Sequence, residues 1–278
     1  MKRLTKIFVN LLAVLLIGTA CFGMAGCVEK ITTLKVNVQV YNYSEQKMED
    51  VNLKVDLYGH LAPKTVESVV AYVKNGIYDN TIFYKMDGRS SQIMLGEIVD
   101  NDGEVEITNK IFPTIDGEFE RNGVKGSNLL NEKGVIGLWR SWTSKDSYNT
   151  SDINAMNSGK ATWYMPTSSI SAYNSWFCVF AKIDLEDEDT SKAFDLITNA
   201  FTENTEDYVI YYTGEYDADK ADENHGLTAH LVKEEDFDET DYFKAKDEQL
   251  VCYNKQNIEI PVFDGEISAK IVSITVGK

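Results

Sequence analysis

Residues 55–68 read Val55-Asp56-Leu57-Tyr58-Gly59-His60-Leu61-Ala62-Pro63-Lys64-Thr65-Val66-Glu67-Ser68. Two periodicities meet in this stretch. Up to Leu57 the chain alternates apolar and polar residues over 51–57, the period of a half-buried strand. After Pro63 the period changes. Val66, Val69, Val70 and Val73 fall at i, i+3, i+4 and i+7, one apolar stripe of a helix. Proline suits the first helical turn, and Gly76 lies just past the end. Valine is a weak helix former, so burial of the stripe must stabilise this helix.

Working outward, residues 34–40 alternate as 51–57 do, and the polar stretch 43–50 between them predicts a turn and an antiparallel hairpin. Residues 81–86 read as a further strand and 87–133 as loop-rich. Residues 134–139, 161–165 and 176–183 read as core strands. A second amphipathic helix places Ala193, Phe194, Ile197, Ala200 and Phe201 on one face, and residues 267–276 form the last strand. The acidic, tyrosine-rich segment of about 203–258 reads as a partly ordered insertion before that strand. The element count predicts a mostly β domain over 34–278, a barrel closed by helices at its ends.

The stretch 55–68 also resembles the opening of cyclophilin-type peptidyl-prolyl isomerases, a strand followed by an Ala-Pro-Lys-Thr-Val-Glu helix start. The resemblance continues in Gly76-Ile77-Tyr78-Asp79-Asn80-Thr81-Ile82-Phe83-Tyr84-Lys85 and in Gly134-Val135-Ile136-Gly137-Leu138, which is similar to the family's Gly-x-Leu-Ser-Met. It extends through Phe177-Cys178-Val179-Phe180-Ala181-Lys182-Ile183 and the closing strand. The resemblance implies a closed eight-stranded antiparallel barrel capped by two helices. It also implies isomerisation of X-Pro bonds with no cofactor or metal.

That reaction rotates an amide over a barrier of about 18–20 kcal/mol. A catalyst must bind the twisted amide better than either planar isomer. The family is understood to use an apolar proline pocket and an arginine that hydrogen-bonds the prolyl nitrogen. Carried over position by position, the arginine becomes Lys85, which keeps the charge but loses the planar fork. Arg89 and Arg140 are alternative cations. The implied pocket comprises Gln92, Met94, Trp139, Tyr164, Tyr173 and Phe177. Trp139 replaces a small alanine and Phe177 a histidine. The resemblance therefore implies a weak isomerase or folding helper, and the alternative is an inactive peptide- or protein-binding module.

The first residues carry Lys2, Arg3 and Lys6, then an apolar run over 7–17 and small residues up to Gly26. This pattern predicts a signal peptide over 1–26. The run is shorter than the about 20 residues of a spanning helix. Met24-Ala25-Gly26-Cys27 resembles a bacterial lipobox, which implies lipidation at Cys27 and a tether over 27–33. The expected location is extracytoplasmic, anchored by lipid to the bacterial cell membrane, with exported proline-containing segments as partners and a monomeric state. A plain secretory signal is the competing reading.

The chain has 27 Lys+Arg against 44 Asp+Glu, and removing 1–26 leaves 24 against 44, near −20. Such a surface repels nucleic acid. Of the four cysteines, Cys178 and Cys252 would remain unmodified, either paired or free. His225 and His230, near Asp217, Asp219, Asp222 and Glu223, lack the spacing of a metal site. The acidic run 186–189 suits the N-terminus of the helix behind it.

Overall fold

The computed structural model of the chain describes residues 31–277 except 109, 111, 125–128, 141–152, 215–216, 218–225 and 239–252. The signal segment, Cys27, Cys252 and His225 lie outside the described residues. Strands β1 (Thr32–Asn42) and β2 (Lys47–Leu57) pair antiparallel along their whole length, Thr32 opposite Leu57 and Asn42 opposite Lys47. The turn is thus shorter than the polar stretch suggested. Residues 47–50 continue the strand at the exposed end of the hairpin, where no buried face imposes alternation.

Helix α1 (Pro63–Lys74) follows, then β3 (Lys85–Met86), β4 (Gln92–Leu95), β5 (Ile98–Asn101), β6 (Glu104–Ile107), β7 (Val135–Leu138), β8 (Trp163–Pro166) and β9 (Val179–Ile183). Helix α2 (Glu188–Glu203) precedes β10 (Thr205–Thr213), β11 (Thr228–Lys233), β12 (Tyr253–Phe263), β13 (Glu266–Ile267) and β14 (Ala269–Val276). A curled seven-stranded antiparallel sheet runs β14-β1-β2-β9-β7-β8-β4. The expected eighth strand is replaced, among the described residues, by isolated bridges from Ile82 to Lys270 and from Tyr84 to Met94. Those bridges touch both edge strands without forming a ladder.

Both helices bury their stripes in the core of this sheet. Val66, Val69 and Val73 of α1 share one cluster with Phe194, Ile197 and Phe201 of α2 and with Leu34, Val36, Val55 and Phe180. Asp187 caps α2 by accepting from the Thr190 amide (3.0 Å) and hydroxyl (2.8 Å). The hydrogen bond from the Lys54 ammonium, with those from Thr190, holds the Asp187 carboxyl down to about 2. Ala62 gives α1 no such cap. Instead Glu118, only 5% exposed, reaches from a distant loop and accepts from the amides of Lys64 (3.1 Å) and Thr65 (2.8 Å).

The acidic insertion contributes a second sheet, ordered β11-β10-β12-β13, with β3 paired to β12. It builds its own buried cluster. Tyr208, Ile210, Ile258 and Ile260, with Met86 of β3, join Ile82, Tyr84 and Met94 at the first sheet's edge. Cys178 is a free, buried thiol 3.4 Å from the Thr65 hydroxyl, and burial pushes its pKa up to about 12.

Candidate functional site

Strand alternation decides which side chains of 82–86 can meet. Ile82, Tyr84 and Met86 point into the cluster shared with the second sheet. Lys85 points the other way. Its ammonium lies 4.8 Å from the centre of the Phe201 ring of α2, and burial lowers its pKa. The structure therefore does not bring Lys85 to the implied pocket residues.

Those residues do come together. Trp139, Tyr164, Tyr173 and Phe177 pack as four rings, each within 6.4 Å of every other. The closest pair is Tyr173 and Phe177, stacked at 4.5 Å. The rings fill the space they enclose. Tyr164 is fully buried, and its hydroxyl donates to Asn131 Oδ1 at 2.5 Å. Burial raises its pKa well above the ordinary phenol value, so it stays a donor. Met94 is buried in the same cluster.

Gly137 makes this packing possible. A β-carbon there would lie 2.1 Å from the Tyr164 ring. Sequence reasoning did not single out Gly137 or Asn131. A signal existed, because the family's Gly-x-Leu-Ser-Met carries serine where this chain has Gly137.

The two arginines sit at the edge of the rings. The Arg89 guanidinium lies 4.8 Å from the centre of Trp139 and donates to the Tyr173 hydroxyl at 2.6 Å. Arg89 is half-buried, on the loop leading into β4. Arg140 is only 3% exposed. Its Nε donates to the Trp176 carbonyl (2.9 Å), and its guanidinium lies against Phe177 (4.9 Å) and Phe119 (5.1 Å). Burial lowers its pKa to about 10, which still leaves it charged at neutral pH. Gln92 is buried on β4. Its Nε2 meets Met94 Sδ at 3.4 Å, while its Oε1 has no hydrogen-bond partner among the described residues.

Beside the rings opens a cleft of about 110 Å³, lined in part by Trp139, Arg140, Glu97, Thr162 and, from the second sheet, Tyr212. Glu97 accepts a hydrogen bond from the Thr162 hydroxyl, and burial raises its pKa. Among the described residues no group of three His, Cys, Asp or Glu side chains could hold a metal ion. No described helix is long and apolar enough to cross a membrane.

The sequence profile of one protein family, cyclophilin type peptidyl-prolyl cis-trans isomerase/CLD, matches residues 43–213. No curated protein matches the chain in sequence. A crystal structure of a Cryptosporidium parvum cyclophilin type peptidyl-prolyl cis-trans isomerase is 17% identical, with a TM-score of 0.41, over 73% of this chain and 94% of that one. A second structure of that isomerase, in the presence of the dipeptide Ala-Pro, is 20% identical, with a TM-score of 0.35, over 57% and 84%.

Proposed function

Because the chain belongs to the cyclophilin-type peptidyl-prolyl cis-trans isomerase family, we propose that it is a weak, cofactor-free isomerase and folding helper. Its substrates are proline-containing segments of exported proteins, and a lipid on Cys27 holds it outside the cytoplasm. The observation that carries this reading is the placement of Arg89. Its guanidinium combines a planar set of donors with an aromatic platform at Trp139 and an anchor at Tyr173. A guanidinium can donate to a prolyl nitrogen as that nitrogen loses amide resonance, and the bond strengthens only as the amide twists.

We assign Arg89 the role that the resemblance gave to Lys85. Arg140 already donates to a carbonyl and lies under Phe177 and Phe119, so it serves as a positioning residue for the rings. The filled space between the rings supports weak catalysis, because a proline ring must displace an aromatic side chain to enter. The same feature favours a second reading, a non-catalytic module that holds proline segments on the Arg89–Trp139 surface.

A protease-coupled assay, in which only the trans form of a proline peptide is cleaved, separates these readings. The first predicts relaxation faster than the uncatalysed rate and its loss in Arg89→Ala. A rate equal to the uncatalysed one, with retained binding of the peptide, supports the second. Loss of activity in Lys85→Ala but not in Arg89→Ala restores Lys85 as the donor.

A further inference from the structure

Tyr173 differs from the other three rings in how the chain carries it. Tyr164 lies on β8, Trp139 follows β7 and Phe177 leads into β9, whereas Tyr173 ends a single 3-10 turn, Ser171–Tyr173, in the loop between β8 and β9. Ser175 has a φ of +63°, in the left-handed region, and the chain doubles back there. The Trp176 and Phe177 amides thereby reach the Tyr173 carbonyl at 3.0 and 3.2 Å. The Tyr173 ring makes the two contacts that a bound prolyl residue would need. It meets all three other rings, stacked on Phe177 at 4.5 Å, edge-on to Tyr164 at 5.6 Å and tilted to Trp139 at 6.4 Å. Its hydroxyl oxygen accepts from Arg89 Nη1 at 2.6 Å, the group assigned above to the prolyl nitrogen. One side chain therefore fills the apolar site and engages the guanidinium together. Its way out is short. Tyr173 is 7% exposed, against 0% for Tyr164 and 2% for Phe177, and its neighbours Ser171 and Ala172 are exposed.

We infer that Tyr173 is an internal competitor for the proline site, a plug that the substrate must displace. This rests on the proposed function and names the residue that limits it. The backbone beside Tyr173 is tied down, since Asn174 Oδ1 accepts from the Asn131 amide (2.8 Å) and Nδ2 (3.2 Å). Release is accordingly a rotation of one side chain towards the surface, with the loop left in place. Trp139 still carries the guanidinium when the Tyr173 hydroxyl leaves it. Apparent affinity scales with the fraction of molecules whose plug is out, so a form populated at about 10% weakens binding about tenfold.

The test uses the full chain in detergent, a short fluorescent proline peptide read by anisotropy, and the same peptide with alanine in place of proline. Tyr173→Ala is expected to bind the proline peptide about tenfold more tightly than the wild type, with kcat/KM raised in step. The alanine peptide should gain nothing. Tyr173→Phe keeps the ring but loses the bond from Arg89, and should bind the proline peptide about threefold more tightly. If circular dichroism shows Tyr173→Ala to be unfolded, Tyr173→Phe carries the test. Unchanged or weaker binding in the folded variants, or an equal gain for the alanine peptide, overturns the inference. Either result leaves the proposed function standing as long as the wild type isomerises the proline peptide. Absence of binding and of isomerisation in the wild type and in both variants overturns both.

Discussion

Glu118→Gln probes the most economical device in the fold. Helix α1 starts at Ala62-Pro63 with neither a capping side chain nor an acidic residue in its first turn. Its first free amides are satisfied by the two oxygens of one buried carboxylate, at 3.1 and 2.8 Å. Glutamine has the same shape but turns one acceptor into a donor, which then faces a backbone N–H. The change loses one charge-assisted hydrogen bond, weakens the other and leaves a buried amide unpaired, a cost of about 2–3 kcal/mol. For a domain of this size each kcal/mol moves the midpoint by about 2–4 °C, so the expected fall is about 4–12 °C. Thermal unfolding followed by circular dichroism reads it. Asp116→Asn is the control, since its ion pair with Lys64 is exposed on both sides and should leave the midpoint unchanged. A Glu118→Gln midpoint within about 1 °C of the wild type would refute the capping argument.

Burial raises the pKa of Glu97, so the folded state binds its proton more tightly than the unfolded state does. Wild-type stability should therefore fall as pH rises from about 4 through the raised folded value, and Glu97→Gln should remove that slope. Urea midpoints at pH 4 and pH 8 check this, and parallel shifts of wild type and variant would reject it. The Cys178 thiol, pushed up to about 12 by burial, should resist a thiol reagent at pH 8 until urea unfolds the chain; rapid labelling of Cys178 in the native protein, located by mass spectrometry, contradicts that placement. Gly137→Ala places a β-carbon 2.1 Å from the Tyr164 ring and should destabilise by about 1–3 kcal/mol, with a changed near-ultraviolet signal from the displaced rings. An unaltered spectrum and midpoint would show that the rings do not pack against Gly137.

Two kinds of element were legible in the sequence. The stripe of α1, the alternation of β1 and the end of β2 follow from burial on a single side, whereas β7, buried at all four residues, and β9, buried at all but Lys182, show as apolar runs. Gln92–Leu95 was hidden within a loop-rich stretch because its four buried residues show no alternation and its apolar run, Ile93 to Leu95 between polar residues and Gly96, is too short to stand out. The inserted sheet was read only as partly ordered. Many of its pairings are distant in the chain, as with Tyr208 opposite both Lys233 and Ile258. At the site, the resemblance pointed to four aromatic residues that the structure packs together and to Lys85, whose ammonium lies instead against Phe201. Alternation already separates Lys85 from Tyr84 and Met86, and that signal favours a cation outside the strand. What no local pattern could show is that four large rings would fill the pocket together, since that depends on three-dimensional closeness of residues 139, 164, 173 and 177.

The central claim, an altered cyclophilin site that still acts through Arg89, is tested most directly by isomerase activity in the full chain and in Arg89→Ala. One hydrogen bond from a charged group contributes about 1.5–3 kcal/mol, so kcat/KM should fall by roughly 10- to 100-fold in the variant. Arg89→Lys should recover little of the loss, because an ammonium lacks the planar fork. Activity that is measurable in the wild type and unchanged in Arg89→Ala would contradict the account.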